Sequence, residues 1–298
     1  MTDKRLMRGN EAIAEAAIRA GCKNYFAYPI TPQAELLEWM AEHIPKVENG
    51  TFLQAESEIG AVSMVYGAAS AGERTMTSSS SPGISLKQEG ISYLAGSRLP
   101  SVIVNIMRGG PGLGNIQPAQ GDYFQATKGG GHGDYHPIVL APSTVPEAAQ
   151  LTYDAFELAD KYRTPVIVLA DGMIGQMMEP VELPEPIDEG DIPEKPWATD
   201  GAKDREPNLI KSFALGAEKL ESMNLEREEV NEEIEKKEVR FEEVGIEDPD
   251  ILLALYGTVG RIAKSTRKMA AEEGIELGLF RPISVWPFPY ERLGELAE

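Results

Sequence analysis

The sequence predicts an α/β fold built on a doubly wound, mostly parallel sheet. Six short apolar stretches, at 25–28, 52–56, 74–78, 101–107, 137–142 and 165–171, read as buried strands. Most are separated by segments of helical spacing, which parallel neighbours need as crossovers. Near residue 250 the strand, turn and helix pattern starts again, which points to a second, smaller α/β unit.

The elements follow in order. Residues 10–20 read as a helix with Ala12, Ile13, Ala16, Ala17 and Ala20 on one face and Gly21 as its stop. The strand at 25–28 breaks at Pro29-Ile-Thr-Pro-Gln33, where Thr31 precedes Pro32, expected as the first residue of a helix to His43. After the strand at 52–56, Ser57 is placed to cap a helix of small residues running from Gly60 to Gly72. The strand at 74–78 leaves through Ser78-Ser-Ser-Ser-Pro-Gly83, read as a loop, into a helix carrying Ile84, Leu86, Ile91 and Leu94. The buried strand at 101–107 ends at Arg108 and Gly109-Gly-Pro-Gly112. Residues 113–134 are too glycine-rich for regular structure. The strand at 137–142, an amphipathic helix at 145–162 and the strand at 165–171 complete the first unit, taken as 1–185.

Five prolines between Pro180 and Pro196 then mark an extended, wrapping segment, and 218–243 is strongly acidic. Residues 186–248 are therefore read as a connector with an exposed helix, on which Val230 and Ile234 form an apolar pair. The second unit, 249–298, has strands at 250–256 and 275–280 around a Gly257-Thr-Val-Gly260 turn and a helix at 261–273. Two parallel strands do not make a stable sheet alone, so this unit reads as incomplete.

Composition narrows the function. A net charge of −20 over 298 residues argues against nucleic-acid and anionic-membrane binding. No apolar run is long enough to span a bilayer, and no apolar leader follows the first charged residues, so a cytoplasmic protein is expected. The single cysteine, Cys22, rules out an internal disulfide and an iron–sulfur cluster ligated by this chain alone. It reads as a packed thiol. Three histidines and no Gly-x-Ser-x-Gly elbow leave no hydrolase triad, and His132, Asp134 and His136 lack the ligands of a metal site.

The chemistry-bearing residues gather at strand ends: Thr31, Glu58, Ser78 to Ser81, and Arg108 with its glycines. Taken singly, each has a plain explanation. Glu58 can complement a helix dipole, Thr31 can cap a helix, the serines can form a polar turn, and Arg108 can be a surface cation. Jointly, a threonine, a carboxylate and an arginine at the carboxyl ends of strands in one sheet describe a ligand site.

Tyr28-Pro-Ile-Thr-Pro-Gln33, Gln54-Ala-Glu-Ser-Glu-Ile-Gly-Ala61, Thr77-Ser-Ser-Ser-Ser-Pro-Gly83 and Asn105-Ile-Met-Arg-Gly-Gly-Pro-Gly112 resemble the alpha chains of 2-oxoacid:ferredoxin oxidoreductases. Pro165 to Asp171, Trp197 to Gly201 and Gly278 to Ile283 fit the same pattern. The resemblance covers nearly the whole chain and is nearest the 2-oxoisovalerate type, with the 2-oxoglutarate type very similar.

It implies a thiamine diphosphate enzyme whose pyrimidine-binding-like domain lies here, followed by the start of a domain of transketolase C-terminal type that normally continues further. A beta chain would hold the diphosphate, Mg²⁺ and a [4Fe-4S] cluster. Gamma and ferredoxin-like delta chains would complete a dimer of hetero-oligomers using CoA and ferredoxin as co-substrates. Glu58, with Ser81 and Gly83, would face the aminopyrimidine, Glu58 sharing a proton with N1′. Burial would favour that sharing and the helix N-terminus oppose it. Thr31, Arg108 and Gly109 would meet the substrate, and no metal ligand is expected in this chain. A non-catalytic scaffold subunit is the competing reading.

Overall fold

The computed structural model describes residues 4–298, so the start of the segment read above as lacking a leader lies outside it. β1 (Arg5–Arg8) runs into α1 (Gly9–Arg19), followed by β2 (Asn24–Ala27), α2 (Ala34–His43) and β3 (Thr51–Gln54). α3 (Glu58–Ser70), β4 (Thr75–Ser79), α4 (Ser81–Gly96) and β5 (Ser101–Met107) continue the alternation. Then come α5 (Tyr123–Thr127), β6 (Ile138–Leu140), α6 (Val145–Tyr162), β7 (Pro165–Asp171), α7 (Gly172–Gln176) and β8 (Met178–Val181). The remainder holds α8 (Ala217–Lys237), β9 (Phe241–Val244), β10 (Ile251–Ala254) and α9 (Gly257–Glu272). It closes with β11 (Leu277–Pro282), β12 (Ser284–Trp286) and α10 (Tyr290–Ala297).

The main sheet has seven strands in the order β12-β6-β7-β5-β4-β2-β3, all parallel except β12. The six expected strands are all in it. The seventh, β12, pairs antiparallel with β6, Ser284 opposite Leu140. β5 sits centrally, buried over its whole length and in register with β7 from Ser101–Pro165 to Met107–Asp171. This is what its run of Val and Ile, apolar on both faces, requires. α1 packs with α2 and α6, and α3 packs with α4. The small residues of α3 and α4 let the two come close: a Cβ on Gly90 would fall 2.4 Å from Val62 Cγ1.

Several local readings are corrected. Helix α2 starts at Ala34, not Pro32, because Gln33 turns inward: its N–H closes a turn on the Ile30 carbonyl and its side chain is fully buried. Ser81 to Gly83 are the first turn of α4 rather than a loop. The glycine-rich stretch contains α5, and α9 begins at Gly257, whose φ of 58° only a glycine takes easily. β1 and β8, both unforeseen, form a two-stranded antiparallel ribbon. Cys22 is fully buried, and burial pushes its thiol up to about 12.

The second unit has three strands, β10-β11-β9, not two. β9 comes from the acidic connector, where its charges hid it. Phe241 stacks on Phe280 at 5.3 Å, Glu242 pairs with Arg281 and Lys264, and Glu243 pairs with Arg292. Most of α8 is exposed, but Ile234 is fully buried and Val230 packs on the core, as the apolar pair suggested.

Arg281 ties this unit to the first through two bonds to Glu147, at 2.9 and 3.1 Å, while holding Glu242 at 2.7 Å. Burial opposes the Arg281 charge, but the two carboxylates overcome it and raise its pKa. Thr258 also reaches Asp171, the cap of α7, at 2.8 Å. No helix among the described residues is long and apolar enough to cross a membrane.

Candidate functional site

The chain leaves β2 toward β3 on one side and returns to β4 on the other, so the sheet order switches between β2 and β4. Crevices at such points, beyond the carboxyl ends of the strands, are the ligand sites of open α/β sheets. The loop after β2 carries Thr31, and β4 feeds the first turn of α4.

Glu58 is the first residue of α3. Ser57 caps that helix by accepting the Gly60 N–H at 3.1 Å, as its position in the sequence suggested. Glu58 is 7% exposed, while Glu56, two residues earlier, is exposed. The Glu58 carboxylate has no hydrogen-bond partner among the described residues. It lies under the first turn of α4: a Cβ on Gly83 would fall 2.7 Å from Glu58 Oε1 and 2.0 Å from Ser79 Oγ. Only glycine leaves that space open.

Two residues earlier on the same turn, Ser81 Oγ accepts the Arg108 N–H at 3.0 Å and donates to Asp122 Oδ2 at 2.7 Å. Asn105 Nδ2 reaches the same Asp122 oxygen at 2.9 Å. The Arg108 guanidinium is buried and donates to the carbonyls of Thr31, at 2.9 Å, and Leu113, at 3.1 Å. The Thr31 side chain itself is exposed. Gly109 donates to the Gln117 carbonyl and accepts from Asn115 N, both at 2.9 Å, which folds the following loop back on itself. Glu58, Gly83, Ser81, Arg108, Thr31 and Gly109 thus form one continuous chain of contacts. Beside Thr31 a cleft of about 650 Å³ opens between that loop, α2 and α7, with Ile116, Pro118, Met173 and Met177 among its walls.

Sequence reasoning missed the polar network beneath the site. Tyr25 and Ser78 hydroxyls meet at 2.5 Å, and Ser78 donates to Gln33 Oε1, also at 2.5 Å. It also missed Lys87, fully buried on α4. The signal was present: Lys87 stands on the inward stripe between Ile84 and Ile91, where a charge is out of place. His136, weighed as a metal ligand, instead stacks on Trp286 at 5.1 Å.

Four buried polar atoms here have no partner among the described residues: Ser79 Oγ, Ser80 Oγ, Asn105 Oδ1 and Arg108 Nε. Buried polar groups are rarely left so, and a cluster of them at strand ends marks a surface built to meet another polar group. A bare carboxylate, a close glycine and orphaned hydroxyls suit a flat, hydrogen-bonding heterocycle such as an aminopyrimidine.

Comparison with known proteins identifies the family of the chain. The family described as "Pyruvate flavodoxin/ferredoxin oxidoreductase, thiamine diP-bdg" matches residues 15–245, and "Pyruvate:ferredoxin oxidoreductase core domain II" matches 249–298. The ketoisovalerate oxidoreductase subunit VorB of Methanothermobacter marburgensis is 53% identical, over 98% of this chain and 83% of its own length. The 2-oxoglutarate synthase subunit KorA of Archaeoglobus fulgidus is 40% identical, over 95% of this chain and 82% of its own. The structure of a 2-oxoglutarate:ferredoxin oxidoreductase from Magnetococcus marinus, with 2-oxoglutarate, coenzyme A and succinyl-CoA bound, superimposes with a TM-score of 0.88 at 27% identity. The match covers 99% of this chain but only 56% of that one. The crevice at the β2–β4 switch and these likenesses together place the chain in the pyruvate flavodoxin/ferredoxin oxidoreductase family.

Proposed function

We propose that the chain is the alpha subunit of a cytoplasmic, CoA-acylating 2-oxoacid:ferredoxin oxidoreductase that converts 2-oxoisovalerate to acyl-CoA and CO₂. The observation that carries this reading is Glu58 at the switch point, a buried residue whose carboxylate has no hydrogen-bond partner among the described residues. A beta subunit supplies the diphosphate and Mg²⁺ site and the [4Fe-4S] cluster, and gamma and delta subunits carry electrons to ferredoxin.

The cofactor, thiamine diphosphate, supplies an electron sink for the decarboxylation when bound. Glu58 would hold a shared proton at the aminopyrimidine N1′, the contact through which the cofactor would be activated. Gly83, Ser79 and Ser80 shape the pocket around it. Arg108, locked by the Thr31 and Leu113 carbonyls, presents its remaining N–H groups to the substrate carboxylate, for which a guanidinium fork is well suited. The Thr31 hydroxyl meets the 2-oxo oxygen, and Gly109 lets the substrate approach the backbone.

The cleft beside Thr31 supports a branched aliphatic substrate over 2-oxoglutarate. Its described walls carry Glu35 and several apolar side chains but no cation to receive a second carboxylate. The test has two parts. The reconstituted complex is assayed with a panel of 2-oxo acids, CoA and ferredoxin, where 2-oxoisovalerate should give the highest kcat/KM. Deuterium exchange at thiazolium C2 is then compared in wild type and Glu58→Gln. Wild-type exchange in the mutant would reduce the chain to a scaffold.

A further inference from the structure

The buried lysine on α4 has no role in that scheme. Lys87 Nζ reaches Thr77 Oγ1 at 3.0 Å and the main-chain oxygen of Glu58 at 3.5 Å. The Thr77 hydroxyl hydrogen is already donated to the Phe26 carbonyl at 2.6 Å, so Thr77 can only accept from the amine. Both neighbours are neutral oxygens, and no carboxylate among the described residues forms an ion pair with Lys87.

A buried ammonium without a counter-charge is costly, and burial pushes this one down to about 8 while the Glu58 carboxylate pulls it up. α4 packs against α3, β5 and β7. The titratable side chains of α3 are Glu58 and Tyr66, and the Tyr66 hydroxyl is engaged with Ser97 at 2.8 Å. β5 has none, and Asp171 of β7 is committed to capping α7. β4 carries none, Asp122 is engaged by Ser81 and Asn105, and the Tyr135 hydroxyl is engaged by Gln88, so Glu58, whose main chain Lys87 touches, is the charge with which it is coupled.

We propose that Lys87 is a positioning residue for Glu58: its amine anchors the first turn of α3, and its charge favours the ionised Glu58 carboxyl. A proton shared between Glu58 and a ring nitrogen is thereby displaced toward the nitrogen. This rests on the reading of Glu58 given above.

The test uses the assembled complex without thiamine diphosphate. Infrared difference spectroscopy follows protonation of ¹³C-labelled glutamate carboxyls, and the band missing in Glu58→Gln identifies position 58. Lys87→Met, close in volume and uncharged, should move the Glu58 titration to higher pH by about one unit. Lys87→Arg, which keeps the charge, should leave it near wild type. Lys87→Gln serves as a second neutral variant should Lys87→Met not assemble. In the loaded enzyme, the acid limb of the kcat profile should move up with the titration while KM stays constant.

An unchanged titration in a folded neutral variant would overturn the proposal and leave Lys87 as packing. Failure of the Glu58 reading has a different signature, wild-type C2 exchange in Glu58→Gln, and does not depend on this titration.

Discussion

Gly83 and Glu58 are so close that no side chain fits between them. An added Cβ would fall 2.7 Å from Glu58 Oε1 and 3.1 Å from its Cγ, as well as 2.0 Å from Ser79 Oγ. The Ser79 hydroxyl can turn away, but the Glu58 contact runs along the side chain and cannot be relieved at its tip alone. Gly83→Ala should therefore displace the carboxylate. We expect roughly a 100-fold loss in kcat/KM, typical of a misplaced catalytic group, and destabilisation of about 1–3 kcal/mol from overpacking. Steady-state kinetics and urea unfolding check both.

Arg108→Lys keeps the charge but cannot reach both the Thr31 and the Leu113 carbonyl, and it loses the planar fork. A drop in kcat/KM of about 10- to 100-fold is expected, corresponding to roughly 1.4 to 2.7 kcal/mol. Unchanged kinetics across the 2-oxo acid panel would leave Arg108 as a loop anchor only.

Glu56 is the internal control for Glu58. It is exposed, and its carboxylate lies over Gly60 on the outside of the turn. Glu56→Gln should change turnover by no more than about 3-fold, as for an ordinary surface substitution, whereas Glu58→Gln should lose about 10² to 10⁴-fold. Parallel turnover assays of the two assembled mutants separate the sites.

Lys87 should leave a mark on stability against pH. Burial holds its folded value at about 8, below the ordinary lysine value of 10.5. Between those values the unfolded chain binds the proton and the folded chain does not, so stability rises with pH through that window. The difference of about 2.5 units, at 1.36 kcal/mol each, is on the order of 3 kcal/mol. Lys87→Met removes this pH dependence, so its stability relative to wild type in thermal melts should be highest below pH 8 and fall toward pH 10.5.

Arg281 makes a stability prediction away from the site. It is 6% exposed and bonded to Glu147 and Glu242. Arg281→Met leaves Glu147 without its cation and Glu242 with Lys264 alone, which should cost roughly 3 kcal/mol in urea unfolding. Glu147→Gln should cost less, since Arg281 keeps Glu242.

The parallel sheet was legible because its strands are apolar on both faces, and α3 was legible because Ser57 carries a capping side chain. The missed strands β1, β8, β9 and β12 are short and either rich in charge or set among prolines, so neither alternation nor a buried run reveals them. β9 is held by ion pairs formed with residues distant in sequence, such as Glu242 with Arg281. The surface chemistry of the candidate site was readable from loop residues at strand ends. Its foundations were not. Gln33 sits on a turn where only the tertiary fold decides that it points inward, and Lys87 was passed over because a charge on the apolar stripe of α4 argues against burial. The joining of Glu58 to Arg108 through Gly83 and Ser81 is a property of one helical turn that the sequence presented as a loop.

Ser284 pairs with Leu140, so the main sheet takes its outermost strand from the far end of the described chain. On a ribosome, β6 emerges long before β12 exists, and during that interval its backbone N–H and C=O groups stand open to any passing strand. Two features guard it: β6 is only three residues long, and Pro137 and Pro142 stand on either side of it. The late pairing also makes sheet completion a non-local event, of the kind that slows folding. A ribosome-bound chain arrested before Ser284 would carry the Thr31, Glu58 and Arg108 segments yet still lack the partner that seals this edge.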